Sequence, residues 1–346
     1  MFYKNPYEYL SGKLENKKLI NAGFSEKTYD TGTVKLNYVV GPKNGPSLLL
    51  IPAQMGMWES YKKVLIPLSK IFKVYSIDIR GHGKSTWTPG YYSWKIVGGD
   101  LKMFIENVIK EKVIISGNSS GGILALWCAV NIPEYVSGIV LEDAPIFSAE
   151  MPRFKEQDKF VYNGLKHLVN QIGNIPDRDL ANYFQNMEVP ASDKRIKRIP
   201  NWFVSWLSRK IKKFQNKYPD SPVQIGFPFP DNLRLLIKSL SMFDPDFARA
   251  FVDGRFYDGI DHAEAFEKTK CPILLIQADW KRYENYGLVG AFDDDDAQHA
   301  ISLAPQIIYK KVSANHVIHA FKPKEYIKLL SEFREIVSDN SICNGE

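Results

Sequence analysis

Residues 113–130 read VIISGNSSGGILALWCAV, and this stretch decides the fold. It opens with consecutive apolar residues, which are typical of a strand buried on both faces. It ends in a segment that is apolar on every side, as a buried helix is. Between them lies a turn with the pattern Gly-x-Ser-x-Gly, centred on Ser119. Such a strand–turn–helix unit lifts the serine hydroxyl above the sheet edge at a helix amino terminus, which predicts a nucleophile. The alternative is a glycine-rich turn without chemistry.

Short apolar runs alternate with helical patterns on both sides of this stretch. The alternation covers residues 20–145 and returns over residues 261–338, and it predicts a mostly parallel central sheet with helices on both faces. Residues 146–260 break the rhythm, because they are rich in Pro, Phe, Trp and Lys and show helical periods with few strand patterns. We interpret them as an inserted helical cap, or lid, and residues 1–19 as an N-terminal extension.

The composition is that of a soluble globular protein. Of the 346 residues, 45% are hydrophobic and 24% are charged, which excludes disordered and fibrous chains. The net charge is +6, but nine Lys or Arg and no Asp or Glu lie between Lys194 and Lys217. The positive charge is therefore concentrated within the predicted cap, and we expect no nucleic-acid partner.

The sequence shows no targeting or metal-binding pattern. No run of 18 or more apolar residues is present that would span a membrane. The amino terminus, MFYKNP, lacks the charged head and apolar run of a secretory signal. The three cysteines are far apart and form neither a disulfide framework nor a zinc spacing. We therefore expect a cytoplasmic protein without a bound metal.

A loop upstream of Ser119 is suited to stabilise an oxyanion. The apolar strand Ser47–Ile51 leads into Pro52-Ala53-Gln54, at the sheet edge where Ser119 is expected. The backbone N–H of Gln54 could point at the carbonyl oxygen of a substrate bound to Ser119. The N–H of Ser120 would be the second donor of this oxyanion hole.

The chain has six histidines, one of which fits the role of general base. His316 follows the last predicted strand, Ile307–Val312, so it reaches the sheet edge at which Ser119 is expected. His319 and His82 are the weaker alternatives, since the first is more typical of a structural residue and the second precedes the serine in the chain. The remaining histidines are assigned to packing or to the surface: His167, His262 and His299.

Together these features resemble the α/β-hydrolase superfamily, over roughly residues 20–145 and 270–335. The resemblance is carried by the loop at Gln54, the segment Asp78–Ser85, the turn at Ser119 and the late His316. It implies a nucleophile, acid and base in the chain order Ser…acid…His, without a metal or organic cofactor. Pro52-Ala53 stand where the family usually has His-Gly in the oxyanion loop.

The acid has three candidates. Family members that carry it after the sixth strand place it about 24 residues beyond the nucleophile, which corresponds to Asp143 in the segment Val140-Leu141-Glu142-Asp143. Members that carry it after the seventh strand suggest Asp279 instead. Glu142 is the third candidate. We predict Asp143.

The resemblance implies a serine hydrolase that cleaves a carboxylic ester or lactone through an acyl-enzyme. The aromatic residues of the cap favour an apolar or aromatic small-molecule substrate. Related chemistry uses similar triads: carbon–carbon bond hydrolysis, cofactor-free haloperoxidase activity and acyl transfer. A ligand receptor without turnover is the alternative from a different class.

Two charged segments receive structural interpretations. Residues 194–217 form a basic amphipathic pattern, with the apolar residues on one side of a helix that begins after Pro200. We expect this face to pack on the body of the protein, with peripheral membrane contact as the alternative. The run Asp293–Asp296 is expected to be a solvated helix N-cap and not a calcium site, because no glycine turn accompanies it.

Overall fold

The computed structural model describes residues 3–173, 180–190 and 196–343. In chain order the strands are β1 (Ser25–Asp30), β2 (Lys35–Val40), β3 (Ser47–Ile51), β4 (Lys73–Ile77), β5 (Val113–Asn118), β6 (Val136–Glu142), β7 (Glu188–Pro190), β8 (Ile196–Arg198), β9 (Ile273–Gln277), β10 (Lys281–Tyr283), β11 (Gly287–Val289) and β12 (Ile307–Lys311). The helices are α1 (Lys17–Asn21), α2 (Leu65–Leu68), α3 (Trp94–Phe104), α4 (Ser120–Asn131), α5 (Arg153–Glu156), α6 (Lys159–Ile172), α7 (Asn201–Lys217), α8 (Asp231–Ser241), α9 (Pro245–Asp253), α10 (His262–Lys268), α11 (Asp294–Leu303), α12 (Ile318–Phe321) and α13 (Pro323–Cys343).

Eight strands form one twisted sheet in the order β1-β2-β4-β3-β5-β6-β9-β12. The strands from β4 to β12 in this order are parallel, whereas β1 and β2 are antiparallel additions at one side. The predicted mostly parallel sheet is confirmed. Because the parallel strands share one direction, the segments that follow β3, β5, β6 and β12 all emerge at the same edge.

The sheet is buried on both faces by helices. Leu49 of β3 packs in a core with α3 and α4, and Leu48, pointing the other way, packs in a core with α2 and α13. Both leucines are fully buried. The continuous apolar runs of the sequence therefore reflect strands with a core on each side.

Helices are the main regular structure among the described residues between β6 and β9. Helices α5 to α9 lie in this stretch, and β7 and β8 form a separate short hairpin. This agrees with the helical periods of residues 146–260, and the interpretation of the stretch as a lid stays a prediction.

Helix α7 begins after Pro200, as the sequence predicts. Its buried residues are Val204, Leu207 and Ile211. Trp202 is one of the apolar residues of this segment, all of which are expected on the packed face, and for Trp202 this is wrong: its exposed fraction is 71%, because it lies off the stripe formed by the buried residues. Of the basic segment, Lys194 and Arg195 lie outside the described residues. Within the described ranges, no helix is both long and apolar enough to cross a membrane.

The acidic run does cap a helix, but only part of it is solvated. Asp293 accepts a hydrogen bond from the backbone N–H of Asp296 at the start of α11. The carboxylates of Asp293 and Asp296 are buried, and each is paired with an arginine: Arg282 binds Asp293 and Arg153 binds Asp296. The expectation of a solvated cap is therefore wrong for Asp293 and Asp296, whereas Asp295 is exposed.

Candidate active site

Ser119 lies on a sharp turn between β5 and α4. Its φ of 54° and ψ of −125° are rare for any residue other than glycine. The turn needs glycines around it, because a Cβ on Gly117 would lie 1.9 Å from the carbonyl oxygen of Gly121 and a Cβ on Gly121 would lie 2.4 Å from that of Ile51. The Gly-x-Ser-x-Gly pattern thus reflects packing so tight that it holds the serine in a strained conformation.

His316 and Asp143 meet at the same edge of the sheet. Asp143 follows β6 directly, and its Oδ2 lies 2.6 Å from Nδ1 of His316. The other oxygen of Asp143 accepts a hydrogen bond from the backbone N–H of Ala278 at 3.0 Å. Burial would lower the pKa of His316, but the hydrogen bond and the negative charge of Asp143 outweigh it and raise that pKa above its usual 6.5.

The other two candidate acids bind different partners. Asp279 is exposed, and its carboxylate accepts a hydrogen bond from the hydroxyl of Ser313 at 3.2 Å. Glu142 is completely buried and lies 2.8 Å from Nδ1 of His319. Among the three carboxylates, Asp143 is the one bonded to His316.

The oxyanion loop is tied to the serine turn. The backbone N–H of Gln54, predicted to bind the oxyanion, donates to the hydroxyl oxygen of Ser120 at 2.9 Å. Ser120 is the first residue of α4, so its own N–H has no acceptor within the helix. The hydroxyl of Ser120 was not singled out in the sequence. An oxyanion that forms on a substrate is a stronger acceptor than the Ser120 hydroxyl. It would therefore replace that hydroxyl as the acceptor of the hydrogen bond from the Gln54 N–H.

His82 contacts the loop that contains Gln54 and Met55. Its Nε2 accepts a hydrogen bond from the backbone N–H of Met55 at 3.2 Å, and its Nδ1 lies 3.1 Å from the carbonyl oxygen of Arg80. The ring is completely buried, which lowers its pKa to about 4. A neutral imidazole with both nitrogens engaged is unsuited to be the base. His82 therefore holds the predicted oxyanion loop in place through Met55, a contact for which the sequence holds no signal.

The remaining histidines have packing contacts. His262 is buried and accepts a hydrogen bond from the backbone N–H of Phe147 at 2.9 Å. His299 packs edge-on against the ring of Phe147, and His167 lies 2.9 Å from the carbonyl oxygen of Tyr183. Across the three described ranges, no three His, Cys, Asp or Glu side chains are grouped to hold a metal ion.

Two cavities meet at Ser119, and His316 lines both of them. The smaller has a volume of about 80 Å³ and the larger about 360 Å³. Three aromatic side chains are among the residues that line the smaller one: Trp94, Phe154 and Phe251. The larger one is lined by apolar residues of α8 and of the segment after His316: Leu235, Leu236, Val317 and Phe321. Only the larger falls in the usual range of ligand pockets, roughly 300–1,000 Å³.

Comparison with known proteins gives a consistent picture. The model of the family described as the alpha/beta hydrolase fold matches residues 46–281. A probable alcohol acetyltransferase of Wickerhamomyces anomalus is 24% identical over 95% of this chain and 89% of that protein. An ethanol acetyltransferase of Cyberlindnera jadinii is 23% identical over 75% of this chain and 70% of its own. The crystal structure of an enol-lactonase from Burkholderia xenovorans superposes with a TM-score of 0.61 at 15% identity, covering 89% of this chain and 99% of that one.

Proposed function

Because the chain belongs to the α/β-hydrolase family, we propose that it is a serine enzyme acting on carboxylic esters or lactones through an acyl-enzyme on Ser119. The observation that carries the proposal is the 2.6 Å contact between His316 and Asp143 at the edge where the strained Ser119 lies. A buried carboxylate on Nδ1 holds the imidazole with Nε2 ready to accept a proton, which is the arrangement that serine catalysis requires.

The mechanism follows from these roles. Nε2 of His316 takes the proton of the Ser119 hydroxyl as the oxygen attacks the ester carbonyl. The backbone N–H groups of Gln54 and Ser120 bind the negative oxygen of the tetrahedral intermediate. His316 then gives its proton to the departing alcohol, and Asp143 stabilises the imidazolium throughout. A water molecule, activated by the same histidine, releases the acyl group.

The sizes of the two cavities suggest which portion of an ester each of them would hold. The smaller cavity is walled by Trp94, Phe154 and Phe251 and has room for a short apolar acyl group. The larger one would hold the longer alcohol portion. We therefore expect short acyl groups joined to apolar alcohols to be the better substrates.

A second candidate function is transfer of the acyl group to an alcohol. It is favoured by the full-length similarity to a probable alcohol acetyltransferase and by the apolar lining of the larger cavity, which would hold an alcohol in place of water. Reaction of an aryl acetate with ethanol present separates the two. Ethyl acetate formed in excess over acetate indicates transfer, and acetate alone indicates hydrolysis.

The proposal is tested by the variant Ser119→Ala with p-nitrophenyl acetate. We expect kcat to fall by a factor of about 10⁴ or more, since the nucleophile is lost. Ser302→Ala is the matched control, because Ser302 lies on the exposed side of α11 and bonds only the His299 carbonyl among the described contacts. Undiminished turnover by Ser119→Ala would refute the proposal.

A further inference from the structure

Three residues that line the larger cavity beside Ser119 carry buried polar atoms that the described protein leaves without a partner. Gln54, Asn118 and His319 all line it. Nε2 of Gln54, Oδ1 of Asn118 and Nε2 of His319 are buried and have no hydrogen-bond partner among the described residues. Buried polar atoms are normally paired, because leaving one unpaired is unfavourable by roughly 1–3 kcal/mol. The rest of the lining is largely apolar, so these atoms stand out in their surroundings.

The orientation of Asn118 is fixed by its neighbours. Its Nδ2 donates to the carbonyl oxygens of Glu142 and His316, both at 3.0 Å. Carbonyl oxygens only accept, so the amide nitrogen must face them and the oxygen must face away. Oδ1 of Asn118 is therefore a buried acceptor.

The orientation of the His319 ring is fixed by two hydrogen bonds and a stacked ring. Glu142 binds its backbone N–H at 2.8 Å and its Nδ1 at 2.8 Å, and the ring stacks on Tyr61 with a centroid distance of 4.0 Å. The side chain of His319 is 1% exposed. Glu142 thus occupies the Nδ1 edge and Tyr61 covers one face, which leaves Nε2 as the ring nitrogen without a partner among the described residues.

We propose that Gln54, Asn118 and His319 form a polar subsite that recognises a hydroxyl group on the alcohol portion of the substrate, remote from the bond that reacts. A hydroxyl fits because it both donates and accepts: it can donate to Oδ1 of Asn118, accept from the Gln54 amide and pair with Nε2 of His319. The inference rests on the function proposed above.

The alcohol portion is assigned to this cavity for a positional reason. His316 donates a proton to the leaving alcohol in the proposed mechanism. The larger cavity is lined by residues that follow His316 within five positions: Val317, His319 and Phe321. Ser120, which supplies an oxyanion donor, lines the smaller cavity instead. The subsite is thus on the leaving-group side of the carbonyl carbon.

The test compares two acetates with alcohol portions of equal size, 4-hydroxybutyl acetate and pentyl acetate. We expect kcat/KM of the wild-type protein to be at least about tenfold higher for the hydroxylated ester. The ester without the hydroxyl would leave the buried polar groups of the protein unpaired, and such a site discriminates strongly against it. In His319→Asn the ratio falls toward one, because asparagine keeps a donor for Glu142 and lacks the second nitrogen. The ratio cancels effects common to both esters. His299→Asn, the same change on an exposed histidine, keeps the wild-type ratio.

Each outcome has a definite meaning. A wild-type ratio near one, or an unchanged ratio in His319→Asn, overturns the inference. If that variant does not fold, Gln54→Met carries the same test through the same ratio. A preference seen only for ethyl 6-hydroxyhexanoate over ethyl heptanoate also overturns it, because the hydroxyl would then bind on the acyl side. Failure to cleave any ester, with Ser119 unreactive toward a fluorophosphonate, overturns the proposed function as well.

Discussion

A single hydrogen bond distinguishes Asp143 from the other carboxylates near the carboxyl edge of the sheet. Asp143 binds His316, Glu142 binds His319, and Asp279 binds Ser313. The sequence placed all three candidates near this edge but could not rank them by geometry. The difference depends on how the chain turns after β6, where Asp143 adopts a φ of 44° and its carboxylate lies within reach of His316.

Replacing the acid tests this assignment. We expect Asp143→Asn to lower kcat by about 10⁴-fold, because an amide no longer holds the imidazole in the productive tautomer. Asp279→Asn should change kcat by less than about threefold, since Asp279 is exposed and bonded to Ser313. Steady-state kinetics with p-nitrophenyl acetate measure both. The reverse order of effects would assign the acid to Asp279.

The pH dependence reports the environment of His316. The base must be neutral to accept a proton, so kcat/KM rises with pH through the pKa of His316 in the free enzyme. Asp143 raises that pKa, so the acidic limb should have its midpoint above 6.5. In Asp143→Asn the residual activity should show this limb at lower pH, because burial remains and the negative charge is gone. A limb that does not move would argue against the pair.

At the level of elements, the serine turn depends on close approach of backbones. A methyl group on Gly117 would overlap the carbonyl of Gly121 at 1.9 Å. We therefore expect Gly117→Ala to lower the free energy of unfolding by at least about 3 kcal/mol, or to prevent folding. Gly99→Ala is the control in α3, where a Cβ meets nothing within 4 Å and a gain of about 0.5–1 kcal/mol is expected. Urea denaturation of both variants measures the difference, and equal stability would contradict the packing argument.

The elements that were easiest to predict from the sequence are the strands with continuous runs of apolar residues. Strands β3, β5 and β9 are buried throughout, and their continuous apolar runs made them easy to identify. Strand β1 was missed, because SEKTYD is largely polar and exposed and forms the outer antiparallel strand. Its position depends on pairing with β2 and not on its own composition.

At the scale of the whole molecule, an ion-pair network around three buried carboxylates joins the helical stretch to the part of the chain that follows β9. Arg153 of α5 binds Asp158 at 2.7 Å and reaches Asp296 of α11. Arg282 binds Asp158 at 3.0 Å and also Asp293. No sequence pattern predicts this network, since the pairs Arg153–Asp296 and Arg282–Asp158 join residues that are 143 and 124 positions apart in the chain.

We expect Arg153→Met to lower the free energy of unfolding by about 2–4 kcal/mol, because it leaves the buried Asp158 and Asp296 without this partner. Lys268→Met is the control: it breaks an exposed pair with Glu264 and should matter by less than about 1 kcal/mol. Urea denaturation at neutral pH is the measurement. Equal effects would mean that the network does not hold the two parts together.

The mostly parallel sheet was predictable from the periodicity of the sequence, but the cavities were not. Their shapes depend on how α6, α8 and α9 lie over the sheet edge, and residues such as Leu165, Leu236 and Phe251 carry no sequence signal that they face the nucleophile. The sequence therefore supports a hypothesis about the chemistry more directly than one about the substrate.

The role of Ser119 as nucleophile is tested most directly by covalent labelling of the folded protein with a fluorophosphonate, followed by mass spectrometry of its peptides. We expect one adduct, on Ser119, that is absent in Ser119→Ala and forms far more slowly in His316→Ala. A folded protein that stays unlabelled, or that carries the label on another residue, would contradict it.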